Sequence, residues 1–318
     1  MKKIYFDKLL KNKCFFEILK KWSLIKVFGL DSTQYLQSHI TIDILNLNNK
    51  KHMLCANCNS HGKVQSVLQL FNYKNGYAYI QRKSICKIQM NALKKYSVFS
   101  NVTIEEDNNY FLLGIFGKYV RTILSLYFCN LPHSKESIIF DKNIIILWFG
   151  GSNERFLLIL KKKKLEEIKL FLLKKNILNL KNAWSYLHIK SGIPILEYEV
   201  FNKFFPQEIN LDLLEGINFK KGCYCGQEMI SKIHFRNLIH KRLYCLIGTT
   251  NFKINIFSFI EIYDGYFWKK VGNIIYSLHI KDNLFLIQCV LYKKKLNGNS
   301  FRITTDINSK FSMFKYNY

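Results

Sequence analysis

Hydrophobic runs of strand length recur along the chain and alternate with segments whose apolar positions follow a helical spacing. Helices are predicted over Ile85–Tyr96, Val120–Tyr127, Leu165–Leu173 and Ala183–Ile189. Strands are predicted over Leu24–Phe28, Leu54–Cys58, Val64–Phe71, Tyr77–Gln81, Val102–Ile104, Phe111–Ile115, Ile144–Phe149 and Phe156–Leu160. Because the two kinds of element are interleaved without regular βαβ repetition, the pattern predicts an α+β architecture.

The pattern changes after His240, where short β-prone runs follow one another between turn residues. These runs are Leu243–Ile247, Phe257–Ile262, Val271–Tyr276 and Leu284–Leu291. They are typical of a small antiparallel barrel or sandwich. We therefore predict a domain boundary near residue 240, with residues 1–240 and 241–318 forming the two parts.

The chain is strongly basic, with 48 Lys and Arg against 22 Asp and Glu and a formal charge of +26. Such a charge attracts phosphates and other polyanions without choosing among them. The abundance of Lys, Asn, Ile, Phe and Tyr is also what an AT-rich coding sequence produces. The charge alone therefore does not establish nucleic-acid binding.

Nine cysteines in 318 residues do not form the dense disulfide framework of a small secreted domain. The basic segment 1–21 contains Asp7 and Glu17 and no continuous apolar block, which argues against a targeting segment. The longest apolar runs, such as Ile144–Phe149, are too short to cross a bilayer. These features predict a cytoplasmic protein with no membrane partner.

The most informative segment is FKKGCYCGQE at residues 219–228, where two glycines bracket a cysteine turn ahead of a predicted helix through Met229–Ile233. Cys223 would lie near the positive end of that helix and beside Lys220 and Lys221, which would favour its thiolate. A small buried cysteine in a tight turn is an equally good interpretation of the chemistry alone.

This segment resembles the signature of the YgfZ family, Lys-Gly-Cys-Tyr-x-Gly-Gln-Glu. Further similarity lies at residues 94–100, 147–149, 154–157, 205–207, 210–211, 216–219, 235–236 and 241–242. The matched signature residues are Lys221, Gly222, Cys223, Tyr224, Gly226, Gln227 and Glu228. The resemblance covers nearly the whole chain and implies the fold of the folate-binding T protein of glycine cleavage, with two mixed α/β subdomains and a C-terminal antiparallel β-barrel.

The resemblance also implies a site and a role. Cys223 would be the functional thiol, supported by Lys221, Tyr224, Gln227 and Glu228. Trp22 and Trp184 match the folate-contacting tryptophans of the family, so the implied cofactor is tetrahydrofolate or a derivative. The implied partners are iron–sulfur enzymes, including those that thiomethylate tRNA, with at most indirect or weak tRNA contact. Trp148 and Trp268 lie in strand patterns and are predicted to be core residues.

Two positions depart from the superfamily pattern. Gln65 and Ser66 stand where the aminomethyl-transferring T protein has an acidic residue, and neither can act as a carboxylate. Lys190 stands where a Glu usually accepts hydrogen bonds from the pterin, and a lysine only donates. The first departure argues against a stand-alone aminomethyltransferase, and the second against strong folate binding.

Alternative functions remain open from the sequence. One is a transferase that moves a one-carbon group to tetrahydrofolate, and another is a basic tRNA-binding module without folate. Cys55 and Cys58 form a CxxC that could join Cys223 and Cys225 around a metal, but the spacing is a poor metal signal. We therefore predict no metal site.

Overall fold

A computed structural model of the chain describes residues 5–151, 154–293, 296 and 300–314. The contacts divide the chain into two compact units, each built from three segments. Unit 1 comprises Met1–Tyr35, Ile44–Met53 and Gln69–Leu187. Unit 2 comprises Leu36–Asp43, Leu54–Leu68 and His188–Tyr318. The domain boundary near residue 240 stays a prediction.

Helices are interleaved with runs of one to three strands up to residue 235. The helices are α1 (Tyr5–Asn12), α2 (Ser32–Gln37), α3 (Lys83–Lys94), α4 (Val120–Leu124), α5 (Lys162–Lys174), α6 (Ala183–Lys190) and α7 (Gln227–Phe235), with short 3₁₀ turns at Ile44–Asn46, Tyr198–Val200 and Pro206–Ile209. The strands up to α7 are β1 (Cys14–Ile18), β2 (Trp22–Phe28), β3 (His52–Cys58), β4 (Val64–Tyr73), β5 (Gly76–Arg82), β6 (Thr103–Glu106), β7 (Tyr110–Gly117), β8 (Ile138–Asp141), β9 (Ile144–Phe149), β10 (Arg155–Lys161) and β11 (Leu178–Asn179).

The main core of unit 1 lies on a six-stranded sheet with strand order β11-β1-β7-β10-β9-β8. Helix α5 places Leu165, Ile168 and Leu172 in this core, at the spacing of one helical face. Lys162 and Lys163, in the first turn of the same helix, are exposed. In a second sheet, residues 69–73 of β4 lie in unit 1 next to β5, and β2 and β6 follow in that order. This sheet brings Trp22 at the start of β2 opposite Arg82 at the end of β5.

The C-terminal part of unit 2 is a closed antiparallel barrel of six strands, as the sequence predicts. Its strands are β12 (Lys241–Thr249), β13 (Phe259–Tyr263), β14 (Trp268–Lys281), β15 (Leu284–Tyr292), β16 (Phe301–Ile303) and β17 (Asp306–Phe314). The prediction that Trp268 is a core residue is wrong, because its ring is only partly buried at the start of β14. Among the described residues, no helix is both long enough and apolar enough to cross a membrane.

Candidate functional site

The turn before α7 is anchored by the side chain of Lys221, which is only 6% exposed. Its Nζ donates to the carbonyl oxygens of Gln37 at 2.6 Å, Ile40 at 2.8 Å and Ile42 at 2.7 Å. An ammonium group has three donors, and here each has an acceptor. Lys221 therefore joins the thiol turn to the segment 36–43 of the same unit.

Burial lowers the pKa of Lys221 to about 8, while the nearby Cys55 and Asp43 raise it. Hydrogen bonds to the charged form favour that form, so the three carbonyl acceptors also support protonation. At neutral pH the ammonium group is therefore mostly charged. Its contacts give Lys221 a structural role in fixing the turn.

Two other motif residues hold the turn in shape. Gln227 Oε1 accepts from the Tyr224 backbone N–H at 3.3 Å, and its Nε2 donates to the Lys221 carbonyl at 3.3 Å. Gly226 has φ +82°, and a Cβ there would lie 2.4 Å from the Asn59 carbonyl oxygen and 2.6 Å from Gly62 Cα. Only glycine permits this close backbone approach. The thiol turn thus packs directly on the turn at Asn59–Gly62.

The four cysteines near this turn have different environments. Cys223 is exposed and Cys225 is partly buried, whereas Cys55 and Cys58 are buried. Burial raises the pKa of Cys55 to about 12 and also raises that of Cys58. A buried thiol with a raised pKa is unreactive, so Cys223 is the thiol of this group that is most accessible to a reagent. Within the described residues, no three His, Cys, Asp or Glu side chains are grouped to hold a metal ion.

The remaining motif residues lie on either side of the turn. Tyr224 is buried, its ring lies 5.0 Å from Lys221 Nζ, and its hydroxyl has no hydrogen-bond partner within the described residues. Burial raises the pKa of this hydroxyl above its usual range. Glu228 is exposed in the first turn of α7, where the positive end of the helix dipole stabilises a carboxylate.

Trp22 borders a cavity of about 490 Å³ in unit 1. Basic side chains dominate its polar lining, and the Arg82 guanidinium lies 5.2 Å from the Trp22 ring centroid. Besides these two residues, the cavity is lined by Phe16, Glu17, Ile18, Leu19, Lys20, Lys21, Lys169, Leu173, Asn179, Lys181, Asn182 and Ser185. An aromatic ring among cations suits a planar ligand that carries negative charge.

Glu17 is the acidic residue that lines this cavity, and its carboxylate accepts hydrogen bonds from the protein backbone. Its Oε1 accepts from the Asn182 N–H at 2.9 Å and its Oε2 from the Trp184 N–H at 2.8 Å. Burial raises the pKa of Glu17, and these backbone hydrogen bonds oppose the shift. Glu17 therefore fixes the N-terminal end of α6, and the cations of the cavity remain in excess.

Trp184 is covered by other side chains and is only 1% exposed. Its ring meets Phe149 edge-on at 5.5 Å and lies 5.3 Å from the Arg155 guanidinium. A Cβ on Gly114 would lie 2.5 Å from the indole, so Gly114 provides the space for the ring. A direct folate contact by Trp184 stays a prediction, because it requires movement of the residues that cover the ring.

The positions that depart from the superfamily pattern lie in unit 2. Gln65 is partly buried and Ser66 is buried in β4, and Lys190 is buried at the end of α6. The sequence did not reveal Glu17 or Arg82 as site residues. Glu17 lies 165 positions from Asn182, and no local pattern connects them.

The fold of the chain is similar to that of a protein whose structure has been solved. It matches the crystal structure of the glycine cleavage system aminomethyltransferase T from Bartonella henselae with a TM-score of 0.75. The match covers 96% of this chain and 85% of the other at 12% sequence identity, so it shows the fold alone. The chain therefore has the fold of the glycine-cleavage T protein.

Curated relatives then identify the family. The chain is 42% identical to the tRNA-modifying protein YgfZ of Buchnera aphidicola subsp. Acyrthosiphon pisum over 90% of each chain. It is 41% identical to the protein of the same name from Buchnera aphidicola subsp. Baizongia pistaciae, over 97% of this chain and 96% of the relative. No protein-family model matches the chain. The identities show that the chain belongs to the YgfZ family.

Proposed function

We propose that this protein binds tetrahydrofolate or a derivative and supports iron–sulfur enzymes that modify tRNA, including thiomethylating enzymes. Membership of a family whose curated members are named tRNA-modifying proteins supports the role in tRNA modification. The nine cysteines are all free thiols, in keeping with the proposed cytoplasmic location.

The cavity beside Trp22 carries the folate part of the proposal. A volume of about 490 Å³ lies in the range of small-molecule sites. Trp22 would stack against the pterin, and the cations Arg82, Lys169 and Lys181 would face the glutamate carboxylates. Reduced folates carry one-carbon units, which is the chemistry that the cofactor would supply. We propose that Trp22 contacts folate and that Trp184 supports the wall of the cavity from within the core.

A fluorescence titration tests the cavity. We expect tetrahydrofolate to quench the tryptophan emission of the native protein, and Trp22→Phe to remove most of the quenching. Trp148→Phe is the matched control, since Trp148 does not line this cavity. Trp184→Phe should retain the quenching if Trp22 is the contacting indole. A native protein that shows no response to tetrahydrofolate would refute folate binding.

Cys223 is the proposed functional thiol because it is the exposed sulfur of the motif turn. We expect Cys223→Ala to fold normally and to fail to restore tRNA thiomethylation in a bacterial cell lacking its own YgfZ. Cys129→Ala serves as the control, because Cys129 is also exposed but lies far from the motif in sequence. Full restoration by Cys223→Ala would exclude the thiol from the function.

Aminomethyl transfer is the alternative that the T-protein fold raises. The neutral side chains of Gln65 and Ser66 argue against it, because neither supplies the carboxylate at that position. An assay for aminomethyl transfer to tetrahydrofolate should therefore show no turnover. Turnover would favour the transferase over the accessory role.

A further inference from the structure

One outer face of the barrel carries exposed aromatic rings in a regular order. Along β13, Ile260 and Ile262 are buried, while Phe259 and Tyr263 are exposed. This alternation directs the two rings away from the barrel core. The neighbouring strands are β14 on one side and β16 on the other, so the face is three strands wide.

Cations lie directly over the rings of this face. Arg302 of β16 lies 4.2 Å from the Trp268 ring centroid, and Lys270 of β14 lies 4.7 Å from that of Phe259. Trp268 also contacts Tyr263, with 5.3 Å between ring centroids. Rings and cations thus form one continuous surface, since Trp268 lies opposite Tyr263 in the strand register.

The loop between β13 and β14 extends this surface. Tyr266 is 88% exposed at its tip. Asp264 Oδ1 accepts from the N–H groups of Tyr266 at 3.1 Å and Phe267 at 3.0 Å, which orders the loop. The exposed rings are therefore held in place by a structured hairpin. We call Phe259, Tyr263, Tyr266, Trp268, Lys270 and Arg302 the aromatic hairpin face.

We propose that the aromatic hairpin face binds a single-stranded segment of RNA by stacking its bases. Bases stack on exposed aromatic rings and on guanidinium planes of sheet surfaces, and adjacent cations contact the phosphates. Charge complementarity supports this partner, since residues 241–318 contain twelve Lys and Arg against four Asp and Glu.

Two acidic residues help to separate RNA from other partners. Glu261 Oε2 accepts from Arg302 Nε at 2.8 Å, and Asp264 pairs with Lys269 at 2.5 Å. These carboxylates, which lie next to the aromatic hairpin face, oppose its insertion into an anionic membrane. The Glu261 carboxylate, whose Oε2 accepts from Arg302, can also accept a hydrogen bond from a base amino group. Lysine is depleted in the cores of protein–protein interfaces. The lysine that lies over a ring of this face therefore argues against a protein partner.

The test uses the full-length protein and fluorescein-labelled oligouridylate, with binding followed by fluorescence anisotropy. We expect Tyr266→Ser combined with Phe259→Ser to weaken binding at least roughly tenfold, as loss of base stacking does elsewhere. Phe99→Ser is the matched control, because Phe99 is 99% exposed and lies in unit 1. Tyr266→Ser alone keeps the test valid if the double variant fails to fold.

A second readout follows Trp268 itself. Oligouridylate should quench its emission, and Trp268→Phe should lose this quenching while binding with less than about threefold change, because Phe also stacks. Binding should weaken with added salt, and Lys270→Gln should reduce the salt dependence.

Three results would overturn the proposal: no binding of oligouridylate by the native protein, equal binding by the hairpin variants and Phe99→Ser, or quenching that persists in Trp268→Phe. Phosphatidylglycerol vesicles provide a competing ligand. Preferential binding of these vesicles, lost in the hairpin variants, would assign the face to lipid and also overturn it. The hairpin variants should bind tetrahydrofolate as the native protein does. Loss of the RNA proposal can therefore be distinguished from loss of the folate proposal.

Discussion

The cavity beside Trp22 and the turn around Cys223 are organised in opposite ways. The cavity has open volume, an aromatic wall and several cations whose side chains face that space. The thiol turn is filled by its own residues, because Lys221, Gln227 and Gly226 each use their contacts to fix its backbone. One region suits the binding of a small ligand, and the other suits the presentation of one exposed sulfur.

This difference separates binding residues from positioning residues. In the thiol turn, the three signature residues Lys221, Gln227 and Gly226 maintain the backbone, and the side chain of Cys223 is left exposed. Changes to the turn should therefore act first on stability, whereas changes to the cavity should act first on ligand affinity.

The largest effect is expected from Gly226→Ala. Its Cβ would lie 2.4 Å from the Asn59 carbonyl oxygen at a positive φ, so the backbone must move. We expect a loss of about 4 kcal/mol in the free energy of unfolding, measured by urea denaturation. Gly222→Ala is the control, since a Cβ there meets nothing within 4 Å. Equal losses in the two variants would show that the close approach is unimportant.

Lys221→Met should have the next largest effect. It leaves the carbonyls of Gln37, Ile40 and Ile42 without the donor that they share, which costs about 3 kcal/mol of unfolding free energy. The adjacent and exposed Lys220→Met should change stability by less than about 0.5 kcal/mol. Equal free energies of unfolding for Lys221→Met and Lys220→Met would contradict the structural role assigned to Lys221.

Thiol labelling at pH 8 measures the contrast between exposed and buried cysteines. Burial raises the pKa of Cys55 to about 12, so this thiol stays protonated at pH 8 as well as inaccessible. We expect iodoacetamide to modify Cys223 on the order of 100 times faster than Cys55. Peptide mass spectrometry measures the two rates. Cys129, also exposed, provides the internal reference. Slow labelling of Cys223 would contradict its exposure.

The smallest effect is expected at the rim of the cavity. Lys169→Gln removes one of several cations and should weaken tetrahydrofolate binding by about 0.5 kcal/mol, or two- to threefold, because exposed charges are screened. Lys174→Gln, on the same helix but outside the cavity lining, should leave affinity unchanged. A uniform effect of both changes would indicate general charge attraction.

The sequence by itself determined the α+β class, most of the elements and the family. Strand β9 has the predicted bounds Ile144–Phe149, and four of the six barrel strands overlap predicted ones. Strand β17 was missed because its inward positions include Asp306 and Ser309. Their side chains bond to Thr250 and to the backbone N–H of Ile303. Local hydrophobic periodicity predicts apolar residues at inward positions, so a strand that buries hydrogen-bonded polar residues there does not show the expected pattern.

Only the tertiary structure decided which side chains are available to a ligand. The family resemblance predicts a folate contact for both Trp22 and Trp184, yet one indole borders a cavity and the other is covered in the core. Lys221 and Lys220 are neighbours, but only Lys221 meets three carbonyls from segment 36–43. Exposure and hydrogen bonding depend on the packing of distant segments, and a local motif records residue types without that packing.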